Sequence, residues 1–275
     1  MTELTALDWS GLVPLAGGLL AAGLCAGLIA GLLGVGGGIV IVPALLQVFA
    51  ILDVDIAIRM HMAVGTSLAS IVTTAISSIH AHHKRQAIDI PLLWKWSPSV
   101  VVGVVLGTAI ASLVKGSTLS TIFGSFALTV SAYMAFVRSD LRLRDGLPAG
   151  PIKHAIGVFI GCLSSMVGIG GGTLSVPTMV LCNYPIRRAV GTAAAIGLTI
   201  ALPGAIGFII TGWNAPGRPP LSLGYVSLIG LCLTSPAGML AAPLGARIAH
   251  NIKPIYLRRM FSVFLALVAA KMLLR

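Results

Sequence analysis

The sequence predicts an all-α polytopic membrane protein made of two inverted repeats of about five helical segments each. Three observations predict this fold class: an apolar composition, sequence blocks that recur at nearly constant spacing, and an uneven distribution of positive charge among the loops. Each repeat is expected to contain one short segment that opens with glycines. The first transmembrane repeat covers residues 1–144 and the second covers residues 145–275, and together they form one membrane domain.

The composition argues against an ordinary soluble protein. Hydrophobic residues make up 57% of the 275 residues and charged residues only 9%, whereas soluble domains carry about 25% charged residues. Apolar runs such as Leu12–Leu33 and Val190–Thr211 exceed the roughly 18–20 residues that a helix needs to cross a bilayer. The longest polar stretch, Arg138–Lys153, has the length of a loop, so no extramembrane catalytic or nucleotide-binding domain is expected.

The formal net charge of +11 would suggest a nucleic-acid partner in a soluble protein. In a membrane protein the same excess is explained by the basic loops that orient the chain on the cytoplasmic side. We therefore expect no nucleic-acid partner, and membrane lipid as the surroundings of the chain.

Three blocks of sequence recur in the two halves in the same order. Gly31–Pro43 (GLLGVGGGIVIVP) recurs as Ser165–Pro177 (SMVGIGGGTLSVP), which we call the glycine register. Ala63–Ser67 (AVGTS) recurs as Ala189–Ala193 (AVGTA), which we call the AVGT register. The third block, which we call the proline register, contains the pairs Ser97/Ser235, Pro98/Pro236, Gly107/Gly245, Lys115/Lys253, Leu119/Leu257 and Phe123/Phe261. These colinear blocks indicate an internal duplication.

Each half contains five apolar segments. They are 12–34, 38–51, 60–79, 92–114 and 118–137 in the first half, and 152–168, 172–183, 188–212, 222–249 and 255–274 in the second. The second segment of each half is short, and at about 1.5 Å per residue it barely crosses a membrane.

Because each half has an odd number of segments, the two halves should lie in opposite orientations. Placing the N-terminus outside puts 13 of the 18 Lys and Arg residues on the inside, in the loops His80–Lys95, Arg138–Lys153, Arg187–Arg188 and Arg247–Arg259. This agrees with the positive-inside rule and favours the inverted topology of many secondary carriers. We expect His83 and Asp145 inside, and Pro216 outside.

The recurring glycines predict an anion site. Glycine permits positive φ and interrupts the apolar segment, and the helix that follows begins with unpaired N–H groups and the positive end of its dipole. A twofold axis in the membrane plane would bring the two helix starts to one central site. The predicted substrate-binding glycines are Gly36, Gly37, Gly38, Gly170, Gly171 and Gly172. Glycine-rich helices can instead serve close helix packing.

Hydroxyl side chains could supplement the glycine amides. The repeat matches Thr66 with Thr192, and these two residues are predicted to bind substrate. Further candidates are Ser67, Ser70, Thr73, Thr74, Ser97, Thr199 and Ser235. Each of these hydroxyls can alternatively bond the backbone of its own helix.

The positions of the acidic residues and the absence of the HExxH and GxSxG motifs argue against an enzyme. All seven acids lie outside the apolar runs: Glu3, Asp8, Asp53, Asp55, Asp89, Asp140 and Asp145. A proton relay of carboxylates within the membrane is therefore not expected, and proton coupling would run through the anion itself or a histidine. The His80, His82 and His83 cluster lies beside Lys84 and Arg85 in a predicted loop, so no metal site, cofactor or catalytic residue is expected.

The doubled GxGGGxxxxP pattern of Gly34–Pro43 and Gly168–Pro177, with the AVGT block downstream of each copy, resembles the sulfite exporter TauE/SafE family of bacterial membrane permeases. The resemblance covers nearly the whole chain. It implies a multi-pass protein of the bacterial inner membrane that moves sulfite, sulfonates such as sulfoacetate, or related small anions. The family is often described with about eight spans, whereas the ten segments counted here include the two short ones.

The hypothesis is a secondary membrane transporter for a small anion that works by alternating access. An anion channel is one alternative, because the sequence does not separate a channel from a carrier. A membrane-embedded enzyme acting on a lipid or a quinone is another, although the apolar segments offer almost none of the acids or metal ligands that it would need. The anion, the direction of transport, the coupling ion and the oligomeric state stay open.

Overall fold

The structure is a computed structural model that describes residues 9–33, 36–136, 146–148, 150–248 and 254–274. Outside these residues lie Gly34 of the first glycine motif, Lys253 of the third repeat block, and the predicted repeat boundary between residues 144 and 145. The predicted cytoplasmic position of Asp145 also lies outside the described residues.

The described part of the chain forms ten α-helices and one short hairpin. The helices are α1 (Trp9–Leu33), α2 (Gly38–Ile51), α3 (Ile56–His83), α4 (Ile90–Leu113), α5 (Gly116–Phe136), α6 (Pro151–Val167), α7 (Gly172–Leu181), α8 (Ile186–Thr211), α9 (Leu228–Ile248) and α10 (Pro254–Leu273). Each of the ten predicted segments overlaps one of these helices. The hairpin pairs β1 (Ser222–Leu223) with β2 (Val226–Ser227) in antiparallel register, Ser222 opposite Ser227.

Two predicted boundaries are wrong. The segment predicted at 222–249 is helical only from Leu228, because Leu221 and Gly224 have φ of 58° and 54° and turn the chain into the hairpin. The histidines at His80–His83 belong to α3 and not to a loop. No Gly or Pro follows the apolar run before Pro91, so the helix continues past the end of its hydrophobic stretch.

Within the described residues, six helices are long and apolar enough to cross a membrane: α1, α3, α4, α5, α8 and α9. The glycine-opened helices are shorter, with 14 residues in α2 and 10 in α7. At about 1.5 Å per residue they span about 21 Å and about 15 Å, less than the roughly 30 Å of a hydrocarbon core. The protein is thus an all-α polytopic membrane protein in which α2 and α7 are too short to cross alone.

The centre of the fold is formed by α3 and α8. Of the six long helices these two are the most buried, with 67% and 56% of their most apolar stretches buried inside the protein, against 33% for α1 and α5. They pack against each other. The helix that follows each glycine motif also packs on them, α2 on α3 and α7 on α8.

The outer helices pair across the two halves. Helix α1 packs along α9, and its repeat counterpart α6 packs along α4, the counterpart of α9. Small residues allow these close approaches: a Cβ on Gly27 would overlap Gly238, and one on Gly161 would overlap the carbonyl of Val100. Helices α5 and α10, which are counterparts, pack on each other. The two halves are therefore interlaced, while their opposite orientation in the membrane and their division at residue 144 stay predictions.

Candidate functional site

The two glycine motifs meet in the middle of the protein. A Cβ placed on Gly36 would lie 3.1 Å from the Cα of Gly170 and 3.4 Å from the side chain of Ile71 on α3. A Cβ placed on Gly38 would overlap the carbonyl oxygen of Gly168. The two glycine motifs are the breaks between α1 and α2 and between α6 and α7. Because their glycines carry no side chains, the backbones of the two breaks come into direct contact. The sequence predicted that the motifs would come together; substrate binding by them stays a prediction.

The backbone at the two breaks differs in detail. Gly36 and Gly37 have φ of 80° and 75°, and Gly168 at the end of α6 has φ of 72°. These left-handed values favour glycine, since L residues with a Cβ rarely adopt them. Gly171, the counterpart of Gly37, has φ of −57° in the right-handed helical region. Glycine at position 171 is therefore required by space and not by its backbone angle.

A small cavity of about 10 Å³ lies where the motifs meet. Its lining residues are Ala30, Gly36, Ile71, Thr74, Ala75, Ser78, Gly170, Gly171, Gly172, Ala193, Ala194 and Gly197. A Cβ on Gly197 would lie 3.7 Å from the amide nitrogen of Gly171, so α8 leaves space beside the start of α7. The volume suits about one water molecule. None of the described lining residues is acidic.

Three hydroxyl groups around the second motif have no hydrogen-bond partner among the described residues. Ser164 lies in the last turn of α6, and Thr173 and Ser175 lie in the first turn of α7. The exposed fraction of these side chains is 0%, 5% and 0%. Buried hydroxyls normally find a partner, because desolvation without one costs about 1–3 kcal/mol. Their positions on either side of the second helix break indicate a site that takes a polar ligand or ordered water. None of the three residues lines the small cavity itself.

The first half carries apolar residues at the matching positions. In the glycine register, which aligns Pro43 with Pro177, the residues Ala30, Ile39 and Ile41 correspond to Ser164, Thr173 and Ser175. Ile39 and Ile41 are fully buried. The repeat does not match these three hydroxyls, so recurrence in the sequence did not point to them. The signal that could have found them is the opposite one, a polar residue where the other copy is apolar.

Thr66 and Thr192 each bond a backbone amide of the opposite half, while substrate binding by them stays a prediction. Thr66 Oγ1 accepts the backbone N–H of Ser227 at 2.9 Å, and Thr192 Oγ1 accepts the backbone N–H of Asp89 at 2.9 Å. Both threonine side chains are fully buried. Neither threonine lines the cavity between the glycine motifs. The structure therefore does not bring these two predicted site residues to the candidate site.

The two residues whose amides the threonines bond, Asp89 and Ser227, are the N-caps of the counterpart helices α4 and α9. The Asp89 carboxylate accepts the N–H of Leu92 at the start of α4, and the Ser227 hydroxyl accepts the N–H of Gly230 at the start of α9. Asp89 and Ser227 are counterparts in the proline register, which aligns Pro98 with Pro236. Each AVGT block thus holds the start of a helix from the opposite half, an arrangement we call the AVGT clasp.

The glycine of each AVGT block makes room for the clasp. A Cβ on Gly65 would lie 2.8 Å from the carbonyl oxygen of Tyr225, and one on Gly191 would overlap the carbonyl oxygen of Ala87. Ala87 and Tyr225 are also counterparts in the proline register. The block therefore recurs because both halves need the same close approach of a loop to a helix.

A tyrosine strengthens the second clasp. The Tyr184 hydroxyl donates a hydrogen bond to the Asp89 carboxylate. Burial alone would raise the pKa of Asp89, but the bonds from Tyr184 and Leu92 and the charges of Arg188 and Lys95 outweigh it, so this pKa lies below its usual 3.8. Burial and the bond to Asp89 raise the pKa of Tyr184 to about 12. Both shifts favour the carboxylate paired with a neutral phenol.

Most of the other candidate hydroxyls are occupied within the helices. Ser97 and Thr199 donate to the carbonyls of Leu93 and Ala195, one turn earlier in their own helices. Thr73 donates to Ser70 in the same way. Ser67 is different, because it donates to the Gly168 carbonyl at 2.7 Å and so fixes the end of α6. Ser67 supports the second motif and not the cavity itself.

Comparisons with known proteins find similar membrane transporters. Residues 19–272 match the family model described as Sulfite exporter TauE/SafE. A probable membrane transporter protein of Haemophilus influenzae is 32% identical over 93% of this chain and 97% of its own length. A protein of the same description from Methanocaldococcus jannaschii is 29% identical over 93% of this chain and 94% of its own length. One from Bacillus subtilis, YunE, is 30% identical over 70% of this chain and 78% of its own. No solved structure matches significantly.

Proposed function

The chain belongs to the sulfite exporter TauE/SafE family and is a multi-pass membrane transporter, and we propose that it carries a small anion, namely a sulfur oxyanion or an organosulfonate such as sulfoacetate. The proposal places the protein in the bacterial inner membrane. It needs no cofactor and no catalytic residue, since transport makes and breaks no covalent bond.

One observation supports the anion most directly. The start of α7 presents the amides of Gly170–Gly172 beside a cavity. The partnerless hydroxyls of Thr173 and Ser175 lie in the same first turn of α7, and that of Ser164 lies in the last turn of α6, although none of the three lines the cavity in this conformation. Amide and hydroxyl groups donate hydrogen bonds to an oxyanion, and each such bond to a charged group contributes about 1.5–3 kcal/mol. The helix dipole adds about 0.3–2 kcal/mol. Several donors together could offset the several kcal/mol that a charge costs within the membrane.

The size of the cavity supports alternating access. A volume of about 10 Å³ suits a water molecule and is too small for a four-atom oxyanion such as sulfite. The helices around it, chiefly α3, α7 and α8, must therefore separate to admit substrate. In this proposal the structure represents a closed conformation, and the short helices α2 and α7 move relative to α3 and α8.

Transport by the purified protein in liposomes tests the proposal. Radiolabelled sulfite, thiosulfate, sulfoacetate, taurine and sulfate are offered in turn, with liposomes lacking the protein as the control. We expect saturable uptake of at least one anion, accelerated by the same unlabelled anion inside the liposomes. Acceleration by internal substrate is the signature of a carrier, and uptake without it would favour a channel. Absence of uptake for every anion in the panel would contradict the substrate class.

A further inference from the structure

A second and much larger cavity, of about 620 Å³, lies between α2, α3, α5 and α10. The starts of α3 and α5 and the end of α10 contribute to it, together with one side of α2, so it opens at one face of the helix bundle. It shares no lining residue with the cavity between the glycine motifs. We name it the α2–α10 cavity.

Two positively charged side chains line this cavity. Arg59 and Lys271 both line it, together with the polar side chains of Gln47, Ser117 and Ser120. Within the described part of the chain, no carboxylate lines it. Asp55, one turn before Arg59, caps the start of α3 and does not line the cavity. Two positive charges at a site without a lining carboxylate repel each other and attract an anion.

The guanidinium of Arg59 is held in place by the backbone. Its Nε and Nη2 atoms donate to the carbonyl oxygen of Val54 at 3.0 Å and 2.6 Å. A guanidinium has five N–H donors in a rigid fork, so most of them remain for a ligand. A pre-oriented arginine suits a planar or tetrahedral oxyanion group, which accepts two parallel hydrogen bonds.

Apart from Thr121, whose hydroxyl donates to the Ser117 carbonyl, the rest of the cavity is apolar. Val40, Pro43 and Ala44 line it from one face of α2, and Phe264 and Val268 line it from α10 at a spacing of four residues. The two helices thus present apolar rows along the length of the cavity. A small hydrated anion gains nothing from such walls, whereas a hydrocarbon chain buried there is stabilised by about 0.8 kcal/mol per CH₂ group.

The repeat does not require these polar groups. The counterpart of Gln47 in the glycine register is Leu181, and that of Arg59 in the AVGT register is Pro185. The counterpart of Lys271 in the proline register is Tyr133. The cations thus occur in one copy only, and the shared fold forms without them in the other. A charge pair that the fold does not need points to a ligand.

We propose that the α2–α10 cavity binds an amphiphilic anion. Its oxyanion head group contacts Arg59 and Lys271, and its apolar chain lies between α2 and α10. The head group and chain could belong to an anionic phospholipid or to a free alkyl oxyanion. The volume of about 620 Å³ lies within the range of sites that enclose molecules of this size.

The test compares Arg59→Gln and Lys271→Gln with Lys115→Gln. Lys115 is exposed in the turn before α5 and does not line the cavity, so its variant removes one positive charge without touching the site. Native mass spectrometry in a non-ionic detergent measures retention of phosphatidylglycerol and of phosphatidylcholine. Titration calorimetry measures binding of octanesulfonate, with sulfate as the head group alone.

We expect both cavity variants to weaken phosphatidylglycerol or octanesulfonate binding by about fivefold per charge removed, and the Lys115 variant to bind as the wild type does. Loss for the lipid alone assigns the lipid as occupant, and loss for octanesulfonate alone assigns a free amphiphile. Equal binding of both probes by wild type and cavity variants would overturn the proposal. Sulfate binding as tightly as octanesulfonate would overturn it too, because the apolar chain would then contribute nothing.

Arg59→Gln also removes the bonds to Val54 and could weaken the fold. Lys271→Gln avoids this problem, since Lys271 is exposed in the last turn of α10. Arg59→Lys keeps the charge but removes the fork, so it is expected to bind phosphatidylglycerol more weakly than the wild type and more tightly than Arg59→Gln. Identical binding by all three Arg59 forms, with Lys271→Gln unchanged, would contradict the head-group assignment.

Discussion

The glycine motif of the first half and that of the second half have the same spacing but different surroundings. In the first, Gly37 is left-handed and its missing Cβ makes room for the Ala26 carbonyl of α1. In the second, Gly171 is right-handed and faces side-chain methyls of Ile196 and Ile200 on α8. Of the first motif only Gly36 lines the cavity, whereas the second motif contributes Gly170, Gly171 and Gly172.

The side chains that follow the glycines are apolar in the first copy and partly polar in the second. The first copy continues with Ile39 and Ile41, which belong to the hydrophobic core. The second copy has the partnerless hydroxyls of Thr173 and Ser175 at the matching positions. A duplicated motif can thus keep one geometric function, the break between two helices, while only one copy gains polar chemistry. We therefore expect packing to dominate in the first motif and ligand binding in the second.

The largest expected effect is on stability, in a comparison of Gly37→Ala with Gly171→Ala. Alanine at position 37 must adopt a left-handed φ, which costs about 1–2 kcal/mol, and its Cβ would lie 2.6 Å from the Ala26 carbonyl oxygen. Alanine at position 171 meets two side-chain methyls at 2.8 Å. The Cδ1 tip of Ile200 can rotate away, and the β-branch methyl Cγ2 of Ile196 can give way only by a small shift of the side chain. Thermal unfolding should show severe loss or no folded protein for Gly37→Ala, and a small decrease in Tm for Gly171→Ala. Equal decreases in Tm would mean that both glycines contribute equally to helix packing, and would contradict the expected difference.

The next effect is on affinity, in Ser175→Ala and Thr173→Val. If these hydroxyls bind the anion, losing one bond to a charged group costs about 1.5–3 kcal/mol, or about 10- to 150-fold in Kd. Stability should stay equal or rise, because a partnerless hydroxyl is removed. The matched control is Thr178→Val, whose hydroxyl already donates to the Leu174 carbonyl at 2.7 Å. Substrate-dependent thermal shifts measure both quantities, and an unchanged shift in Ser175→Ala and Thr173→Val would refute the binding role.

A smaller effect is expected where the two halves are alike, in the AVGT clasp. Thr66→Val and Thr192→Val each leave a backbone N–H without its acceptor, that of Ser227 or of Asp89. We expect each variant to lose about 1–2 kcal/mol of unfolding free energy, and both to keep substrate affinity. Chemical denaturation and substrate titration measure the two quantities. Weaker substrate binding at unchanged stability would instead support the role that the sequence predicted for these threonines.

The smallest expected effect is a pH dependence of stability, which only the second clasp should show because it contains Asp89 and Tyr184. Because the pKa of Asp89 is lowered in the folded protein, its contribution is complete above pH 3.8 and is lost as the pH falls through the lowered value. Because the pKa of Tyr184 is raised, its contribution is complete below pH 10.0 and is lost as the pH rises through about 12. Asp89→Ser copies the first clasp, which has Ser227 at this position.

Profiles of Tm against pH for wild type and Asp89→Ser test this expectation. The gap between the two proteins should narrow at both ends of the pH range and be widest between them. A gap that does not change with pH would show that the Asp89–Tyr184 pair contributes nothing to the second clasp.

Local patterns were enough to place the helices. Uninterrupted apolar runs and the glycines at positions 37 and 171 predicted ten helical segments, because a chain in lipid must satisfy its backbone polar groups within each segment. The hairpin before α9 was missed. Its residues Ser222–Ser227 continue directly into the apolar run of α9, so the pattern did not distinguish them from the helix. The positive φ angles of Leu221 and Gly224 turn the chain into a hairpin there.

The candidate site was predicted in part. The repeat correctly indicated that Gly36 and Gly170 would meet, because it predicted that the two glycine motifs come to one central place. It also pointed to Thr66 and Thr192, whose recurrence has another cause. A residue recurs in both copies when both copies need it, and that requirement was the clasp between the halves. The hydroxyls of Ser164, Thr173 and Ser175 occur in one copy only, so a search for recurrence passes over them.

The sequence by itself determined that this protein lies in a membrane, that it is helical, that it is duplicated, and where each half breaks at its glycines. These properties follow from composition and from the backbone demands of neighbouring residues. Only the tertiary structure decided which helices pair, that each AVGT threonine bonds the opposite half, and that the partnerless hydroxyls surround α7 and not α2. Such features depend on contacts between residues far apart in the chain, such as Thr66 with Ser227. A linear pattern of local preferences does not encode the distance between those residues.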